Sequence, residues 1–423
     1  MKPIKPTSNV DGRVNIPGSK SVTHRALIAA ALAEGESILK DCLICEDTLF
    51  TLKALEDLGI LISVENPNII VSGKGGRFLP IPKKREIYMG NSGTSYRLLL
   101  TTAALAQGEI LLSGSPRMQE RPIGTLVKAL NQLGVDVSCI AQNDFPPVLI
   151  QAKGLPGGSV EIEGTQSSQY VSSLLLSGPY AKKDVEIRIT GGLVSQPYVD
   201  ITLDVMKTFG VSVIRDGYTY FKVPSGQRYQ ACRFQTDGDV SSASYFWAAA
   251  AVTGGTMITK NIHPHTTRQG DLGLLDILER MGCYVEQRPD SVLVQGGVLS
   301  GIDVDMGAMP DMVPTLAAIA PFAHGKTGIR NVAHLRHKES DRLHAIASEW
   351  NKLGSRIEEM DDGIIIPGGD RLSGTTVDPH NDHRLAMSLA VIGLRVQGIT
   401  VKNETCVNKS FPQFWELWDL LFC

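Results

Sequence analysis

The segment RALIAAALAEGESIL, residues 25–39, is the first of six similar stretches, and their repetition decides the fold. Each stretch joins a run of small apolar residues, typical of a buried helix, to a short strand-forming segment. Five of the six carry a glycine just before that segment, whereas the third copy has charged residues there. The other copies are RLLLTTAALAQGEILL at 97–112, VSSLLLSGPYAKKDVEI at 171–187, ASYFWAAAAVTGGTMI at 243–258, PTLAAIAPFAHGKTGI at 314–329 and RLAMSLAVIGLRVQGITV at 384–401. The predicted helix starts recur every 71 to 76 residues, near Lys20, Asn91, Ser167, Asp239, Asp311 and His383.

A second, more amphipathic helix is predicted between these copies. Its apolar residues follow i, i+3, i+4, i+7 spacing and end at a glycine that stops the helix. A sixth segment, FPQFWELWDLL, runs into the C-terminus. Because a unit of about 70 residues buries too little surface to be stable alone, we predict an α/β protein with two similar domains of three βαβ-type repeats. The closing glycines are Gly59, Gly134, Gly210, Gly282 and Gly354.

The composition is that of an ordinary globular protein and excludes several classes. The 423 residues are 43% hydrophobic and 20% charged, with a net charge of −3, which argues against a general nucleic-acid binder. No run of about 18 apolar residues occurs, so no membrane-spanning helix is expected. The opening MKPIKPTSNVDGRV has neither a secretory h-region nor the composition of a transit peptide, and we expect a cytoplasmic protein.

Cationic side chains lie at the predicted helix starts, where helix chemistry does not favour them. The unpaired N–H groups of a helix N-terminus carry partial positive charge, so a Lys or Arg there costs roughly 0.3–1 kcal/mol. Capping explains the acids and hydroxyls at such starts, including Asp47, Ser241 and Asp271. It does not explain the cations, which indicate a shared anion site held by charge-assisted hydrogen bonds. These cations are Lys20, Arg25, Arg97, Arg121, Lys338, Arg342, Arg384 and Lys409.

Two acids lie among these cations. In KESDR, Glu339 precedes Arg342 by three residues, and we predict that the two share one helical face. A carboxylate surrounded by cations keeps its charge and is a candidate base. Asp311 lies between two prolines in MPDMVP, in a stiffly held turn, where a plain N-cap is the competing interpretation. No His, Cys and Asp spacing typical of a metal site is present, so no metal is expected.

Eight motifs together resemble the 5-enolpyruvylshikimate-3-phosphate (EPSP) synthase family of enolpyruvyl transferases. They occur in order along essentially the whole chain and are PGSKSVTHRAL, GNSGTSYR, PRMQERPIG, SSQY, LVSQPYVDITLDVMKTFGV, KESDR, NDHR and NKSFP. The resemblance implies two globular domains of three βαβαββ repeats, at 19–237 and at 1–18 plus 238–423. Their helix N-termini would converge on an interdomain cleft that closes on ligand.

The resemblance also implies a reaction. The family transfers the enolpyruvyl group of phosphoenolpyruvate to the 5-hydroxyl of shikimate 3-phosphate and releases phosphate, without metal or cofactor. The implied mechanism is addition followed by elimination through a tetrahedral intermediate. Asp311 would accept the hydroxyl proton, while Glu339 and Lys20 would handle the protons at C3 and at the leaving phosphate, and which of them acts at each step stays open. A monomer is expected, with no nucleic-acid or membrane partner.

Individual residues are assigned to the two substrates by the same resemblance. The implied contacts to shikimate 3-phosphate are Lys20, Ser21, Arg25, Ser167, Ser168, Gln169, Ser195, Tyr198, Asp311, His334 and Lys338. The implied contacts to phosphoenolpyruvate are Lys20, Gly93, Arg121, Gln169, Arg342, Arg384 and Lys409. A supporting set has less defined roles and consists of Asn91, Thr94, Arg97 and His383.

Two positions depart from the family pattern. His334 stands where the family commonly has Asn, and we expect it to add mild pH sensitivity near neutrality. Leu98 follows Arg97 where many members have Pro. Gly93 favours sensitivity to the herbicide glyphosate, but Leu98 leaves that response open.

Two alternatives are weighed against this assignment. The sister family that acts on UDP-N-acetylglucosamine has a reactive Cys in a loop, and the comparable loop SGSPRMQERPIG has none. A non-catalytic clamp built of six repeats would spread basic residues along one extended face, with no need for acids among them. The clustering of cations at helix starts, together with Asp311 and Glu339, argues against the clamp.

Overall fold

The chain forms two compact units in the computed structural model, which describes residues 1–65, 67–78, 80–81, 83–369 and 371–422. Unit A is Gly18–Thr236, and unit B combines Met1–Pro17 with Asp237–Cys423. Both mix helices with short strands, so the predicted α/β class is confirmed. Each unit has a hydrophobic core of its own. The core of unit A is formed by residues between 26 and 234, and the core of unit B by residues between 4 and 16 and between 240 and 418.

Helices of two kinds alternate along the described residues, one kind nearly all buried and the other buried on one face. The helices are α1 (Lys20–Leu32), α2 (Glu46–Asp57), α3 (Gly93–Ala104), α4 (Gly124–Gln132), α5 (Ser168–Ser177), α6 (Pro197–Thr208), α7 (Val240–Thr253), α8 (Leu274–Met281), α9 (Val313–Ile319), α10 (Arg342–Lys352), α11 (His383–Gly393) and α12 (Phe414–Asp419). The predicted starts of the buried kind are confirmed to within two residues. None of the described helices has the length and apolar character needed to cross a membrane.

The strands are short and follow the helices in a regular order. They are β1 (Lys2–Pro3), β2 (Asp11–Asn15), β3 (Glu34–Lys40), β4 (Leu61–Glu65), β5 (Asn68–Lys74), β6 (Arg85–Tyr88), β7 (Gln107–Ser113), β8 (Asp136–Cys139), β9 (Val148–Lys153), β10 (Gly158–Glu163), β11 (Val185–Thr190), β12 (Ile214–Asp216), β13 (Tyr220–Val223), β14 (Arg233–Gln235), β15 (Thr256–Lys260), β16 (Tyr284–Gln287), β17 (Ser291–Gln295), β18 (Asp303–Asp305), β19 (Lys326–Arg330), β20 (Glu358–Glu359), β21 (Ile364–Pro367), β22 (Thr376–Val377) and β23 (Thr400–Val401).

These strands form six small sheets of one pattern within the described residues. Each sheet has one parallel pair, and antiparallel strands are added on one side of it. The orders in unit A are β14-β3-β5-β4, β6-β7-β9-β8 and β10-β11-β13-β12. The orders in unit B are β16-β17-β15-β2, β18-β19-β21-β20 and the three-stranded β1-β23-β22. In four sheets the parallel pair is joined by a buried helix, α3, α5, α9 or α11, which is the expected crossover connection.

In the other two parallel pairs, the two strands come from distant parts of the chain. Strand β2 directly precedes α1 along the chain, yet it pairs with β15 in unit B, with Val14 opposite Thr259. Strand β14 directly precedes α7, yet it pairs with β3 in unit A, with Phe234 opposite Leu39. The first sheet of each unit is therefore completed by a strand whose next helix belongs to the other unit.

The closing glycines end the amphipathic helices as predicted. All five have φ between +83° and +112°, in the region that residues with a Cβ rarely adopt. A glycine there lets the chain turn out of the helix and enter the next strand, as Gly210 does after α6.

Candidate active site

The starts of α1, α2 and α3 in unit A are joined by buried polar contacts. Lys20 is the first residue of α1, and its Nζ donates to Asp47 Oδ2 at 3.0 Å. Ser95 Oγ donates to the backbone oxygen of Asp47 at 2.9 Å. Asp47 is the second residue of α2, where the capping position is held by Cys45. The interpretation of Asp47 as the cap is wrong, because Cys45 holds that position, and the Asp47 carboxylate pairs with Lys20.

Arg25 lies one turn further along α1 and is only 1% exposed. Its guanidinium donates to Thr202 Oγ1 at 2.7 Å and to the backbone oxygens of Ser21 at 2.8 Å and Tyr198 at 3.1 Å. Burial lowers the pKa of Arg25 to about 10. No carboxylate among the described residues forms an ion pair with it, so its buried charge is met only by neutral oxygens. A bound anion would supply the missing countercharge.

Arg97 is a second buried cation in unit A that has no carboxylate partner among the described residues. Its Nη1 donates to Gln169 Oε1 at 3.0 Å, and Gln169 Nε2 donates to Thr94 Oγ1 at 3.0 Å. Its guanidinium also lies 5.5 Å from the centre of the Tyr170 ring. These contacts join the first turns of α3 and α5.

The loop before α4 brings a third arginine to the start of α3. Arg121 Nη1 donates to the backbone oxygen of Asn91 at 3.0 Å and to its side-chain oxygen at 3.3 Å. The guanidinium lies so close to Gly93 that a Cβ built there would be 2.5 Å from Arg121 Nη2. Position 93 therefore has room for glycine alone while Arg121 stays in this place.

The remaining predicted residues of unit A lie at the starts of α5 and α6. Ser167 caps α5 by accepting the backbone N–H of Gln169 at 3.3 Å, and Ser168 is the first residue of that helix. Ser195 has φ of +52°, and its backbone oxygen accepts the N–H of Tyr198 at 3.1 Å. Unit A thus gathers every site residue predicted in it at helix starts, and we call this set the unit A cluster: Lys20, Ser21, Arg25, Asn91, Gly93, Thr94, Arg97, Arg121, Ser167, Ser168, Gln169, Ser195 and Tyr198.

Arg342 is the centre of the corresponding set in unit B. It is 1% exposed and donates Nη1 to Asp311 Oδ1 at 2.9 Å, Nη2 to Glu339 Oε2 at 2.8 Å and Nε to Asp382 Oδ2 at 2.8 Å. Although burial opposes its charge, the three carboxylates raise the pKa of Arg342 above its ordinary value. The guanidinium is therefore a fixed cationic bridge between three acids.

Asp311 is held between two arginines. Its second oxygen, Oδ2, accepts Arg384 Nη2 at 2.6 Å. Although burial favours the neutral acid, the cations Arg384, Lys338 and Arg342 hold the pKa of Asp311 well below its usual range. The competing N-cap interpretation is wrong, because the residue before α9 is Met312 and the Asp311 side chain binds both arginines.

The KESDR segment differs from the prediction in one respect. Helix α10 begins at Arg342, so Glu339 and Lys338 precede it and the predicted common helical face is wrong. Glu339 and Arg342 nevertheless form an ion pair, with Oε2 and Nη2 2.8 Å apart. Lys409 ends a short 3-10 helix and is buried, and His383 is the buried first residue of α11. We call this set the unit B cluster: Asp311, His334, Lys338, Glu339, Arg342, His383, Arg384 and Lys409.

His334 does not behave as expected from the sequence. Burial, together with the nearby Lys338 charge, lowers the pKa of this imidazole to about 4. Its Nε2 has no hydrogen-bond partner among the described residues. His334 is therefore neutral in the folded protein at physiological pH, and the predicted sensitivity of the site to pH near neutrality is wrong.

Three acids of unit B matter more than the sequence indicated. Asp382, the N-cap of α11, accepts the backbone N–H of Arg384 at 3.0 Å and pairs with Arg342. Asp271 is not a helix cap but accepts Ser241 Oγ, and Asp239 is the cap of α7 instead. Burial, followed by the neighbouring Asp311 charge, raises the pKa of Asp271 to about 6. The motif NDHR held the signal for Asp382, since Asp before a helix is a common cap.

The two clusters are suited to binding multiply charged anions. Buried guanidinium and ammonium groups can form charge-assisted hydrogen bonds to phosphate and carboxylate oxygens. In unit B an ionised carboxylate lies among them, which adds a group able to accept a proton. No group of three or more His, Cys, Asp or Glu side chains in the described chain is arranged as a metal site.

A family model described as EPSP synthase (3-phosphoshikimate 1-carboxyvinyltransferase) matches residues 4–418. The chain belongs to the EPSP synthase family. A 3-phosphoshikimate 1-carboxyvinyltransferase of Syntrophobacter fumaroxidans is 44% identical over 422 residues, covering 99% of each chain. One of Methanoculleus marisnigri is 45% identical over 414 residues, covering 98% of this chain and 97% of the relative.

The fold agrees with solved structures of the EPSP synthase family. An EPSP synthase from Acinetobacter baumannii superposes with a TM-score of 0.82 at 30% identity, covering 99% of this chain and 97% of that chain. The chain is therefore similar to this family in both sequence and fold over nearly its full length. These matches do not favour the sister family that acts on UDP-N-acetylglucosamine, nor a non-catalytic clamp.

Proposed function

We propose that this EPSP synthase family member transfers the enolpyruvyl group of phosphoenolpyruvate to the 5-hydroxyl of shikimate 3-phosphate and releases phosphate. The main observation behind the proposal is that Arg342 and Arg384 keep the Asp311 carboxylate ionised within the unit B cluster. A base held between phosphate-binding cations suits a reaction in which a hydroxyl attacks a phosphorylated substrate.

Shikimate 3-phosphate is assigned mainly to the unit A cluster. Arg25 and Lys20 would bind its phosphate, and the absence of a carboxylate beside Arg25 among the described residues supports this role. Neutral donors and acceptors suit the hydroxyls of the ring, and they are provided by Ser167, Ser168, Gln169, Ser195 and Tyr198. Asp311, His334 and Lys338 of unit B complete the proposed contacts to this substrate.

Phosphoenolpyruvate is assigned to arginines and lysines from both clusters. Arg121 lies against Gly93 at the start of α3, where backbone N–H groups also favour an anion. Arg342, Arg384 and Lys409 would contribute from unit B, and Lys20 and Gln169 from unit A. The phosphate and carboxylate of this substrate need several cations, and the number of buried cations supports the assignment.

The proposed mechanism is addition followed by elimination. Asp311 accepts the proton of the 5-hydroxyl as its oxygen bonds to C2, while C3 is protonated to a methyl group. Because cations keep the Asp311 pKa low, its proton transfer accompanies C–O bond formation and does not precede it. Loss of a proton from the methyl group then expels phosphate, and we assign the C3 and phosphate proton transfers to Glu339 and Lys20.

Phosphate release tests the proposal. Purified protein should release phosphate when phosphoenolpyruvate and shikimate 3-phosphate are both present, and not with UDP-N-acetylglucosamine as acceptor. Asp311→Asn should bind both substrates yet turn over at least about a hundredfold more slowly, the usual contribution of a positioned base. Release only with the nucleotide sugar, or with neither acceptor, would contradict the proposal.

The cytoplasmic location and the monomeric state remain parts of this proposal. Both are common for a biosynthetic transferase whose substrates are small phosphorylated molecules. Cell fractionation measures the first, and light scattering of the purified protein measures the second. Recovery in a membrane fraction, or a mass twice that of the chain, would contradict them.

A further inference from the structure

A fully buried acid on α10 contacts the loop that leads into the unit B cluster. Glu349 is 0% exposed and lies seven residues after Arg342, two helical turns along the same face. Its Oε2 accepts the backbone N–H of Asp378 at 2.9 Å, and its Oε1 contacts His380 Nε2 at 2.8 Å. Lys352 Nζ also donates to Oε1, at 2.6 Å. One buried carboxylate thus holds two residues of the loop.

The loop has a backbone that needs to be held. His380 and Asn381 have φ of +52° and +56°, in the left-handed region that non-glycine residues rarely adopt. Such a conformation persists where surrounding contacts fix it. Inside the loop, the N–H of His380 donates to Asp378 Oδ1 at 2.9 Å, and the N–H of Asp382 donates to the oxygen of Pro379 at 2.8 Å.

The end of this loop supplies two members of the Arg342 network. Asp382 accepts Arg342 Nε at 2.8 Å, and Arg384 donates to Asp311 at 2.6 Å. Helix α10 therefore grips the segment at two points, through Arg342 at its first residue and through Glu349 two turns later. The first grip belongs to the proposed site, whereas the second lies outside it.

We propose that Glu349 is a positioning residue, which fixes loop 378–382 so that Asp382 and Arg384 meet Arg342 and Asp311 in the productive geometry. The inference rests on the proposed function, because it takes Arg384 as a phosphoenolpyruvate contact. Loss of the grip lets the loop relax and moves Arg384 away from Asp311. The effect is therefore on phosphoenolpyruvate and on turnover, not on shikimate 3-phosphate.

Two substitutions at Glu349 separate the grip from simple packing. Glu349→Leu keeps a buried side chain of similar size and removes both acceptors. We expect KM for phosphoenolpyruvate to rise about tenfold and kcat to fall. A misplacement of about 1 Å can reduce the rate about a hundredfold, so changes of this size fit a small movement of the loop. KM for shikimate 3-phosphate should change less than about twofold. Glu349→Gln keeps one acceptor for the N–H of Asp378, so it should raise KM for phosphoenolpyruvate only about threefold.

Lys352→Ala is the matched control. Lys352 contacts the same Glu349 oxygen on the same helix, but none of its described contacts is with the loop. Its removal leaves both loop contacts of Glu349 in place, so both KM values should stay within about twofold of wild type, while the loss of a cation beside a fully buried carboxylate lowers stability. His380→Ala covers the case in which Glu349→Leu does not fold, because His380 is partly exposed and its substitution removes one of the two loop contacts of Glu349. It should raise KM for phosphoenolpyruvate about threefold.

Amide hydrogen exchange gives a readout that does not depend on activity. In Glu349→Leu, the amides of residues 378–384 should exchange at least about tenfold faster, while the amides of helix α10 keep their protection. Faster exchange with the KM change supports the proposal. Unchanged exchange and kinetics, or equal changes in both KM values, would overturn it. If wild-type protein shows no phosphate release, the proposed function fails, and the exchange result still decides whether Glu349 holds the loop.

Discussion

Burial determines how much each ion pair of this protein contributes. Arg342 and Arg330 each bind carboxylate oxygens at distances below 3.0 Å. Arg342 is 1% exposed, whereas the Arg330 side chain is 57% exposed. Water screens the exposed pair and remains available to each partner, while the acids around Arg342 have lost most of that solvation.

Arg342→Gln should therefore be far more destabilising than the same change at Arg330. We expect the buried substitution to lower the free energy of unfolding by about 3–5 kcal/mol, because it leaves carboxylates buried without their cation. Arg330→Gln, the matched control, should leave the free energy of unfolding close to that of the wild type, because water solvates both exposed partners. Urea unfolding of the two variants measures both values. Equal losses would mean that the Arg342 acids find other countercharges.

His334 gives a pH dependence with a definite sign. Its pKa is lowered to about 4 in the folded protein, below the ordinary histidine value of 6.5 that applies to the unfolded chain. Between these values the unfolded chain binds a proton that the folded chain does not, so stability is lost as the pH falls from 6.5 towards 4.

Replacing this imidazole should remove that loss. Between pH 7 and pH 5, His334→Asn should lose about 2 kcal/mol less unfolding free energy than wild type. His324→Asn, at an exposed histidine of the same unit, should follow wild type. Activity profiles of wild type and His334→Asn should have the same shape between pH 6 and 8. A wild-type inflection near pH 6.5 that His334→Asn lacks would contradict the low pKa.

At the scale of elements, helix starts carry the site because several of them are close enough to share side chains. Arg121 belongs to the loop before α4, yet it binds Asn91 and lies over Gly93 at the start of α3. Arg97 of α3 reaches Gln169 of α5 in the same way. The first turn of one helix is thus built partly from the side chains of its neighbours.

Gly93→Ala tests this close approach. The added Cβ would lie 2.5 Å from Arg121 Nη2 and 2.6 Å from Cζ, so the guanidinium must move while the backbone can stay. We expect KM for phosphoenolpyruvate to rise about tenfold, with the affinity for shikimate 3-phosphate within about twofold of wild type. Gly12→Ala is the control, because its Cβ would meet only Met257 at 3.6 Å. Steady-state kinetics with each substrate varied in turn would show an unchanged KM if Arg121 has no role.

The helices and their ends were predictable because local patterns in the sequence determine them. The contacts between side chains of different helices were not predictable in this way. Small apolar runs and closing glycines such as Gly210 act within one helix, so the sequence located helices and their ends. Arg342 was also placed among the predicted site residues by the motif KESDR. Its bond to Asp382, forty residues away, depends on how α10 and α11 pack, and no spacing in the sequence encodes it. The low pKa of His334 depends likewise on burial that only the fold creates.

At the scale of the whole molecule, the feature that repetition could not predict is the exchange of strands β2 and β14. Six equal repeats predict that each parallel pair flanks its own helix, and four pairs do. The other two take a strand from elsewhere in the chain, with Val14 opposite Thr259 and Phe234 opposite Leu39. Both residues are buried in the core of the unit they join. Two chain segments, near residues 17 and 236, therefore connect the units.

A pair of reciprocal substitutions tests the exchange. Val14 lies just before α1 of unit A in the sequence. Val14→Ala should nevertheless lower the stability of unit B, by about 1–3 kcal/mol. Phe234 lies just before α7 of unit B in the sequence. Phe234→Ala should nevertheless lower the stability of unit A, by about 3–5 kcal/mol. Amide exchange resolved along the chain should accelerate mainly in 237–423 for the first variant and mainly in 18–236 for the second. Acceleration on the side of the sequence neighbour would mean that the strands pair as the simple repeat predicts. Because each variant is the control for the other, a general loss of stability cannot imitate the crossed pattern.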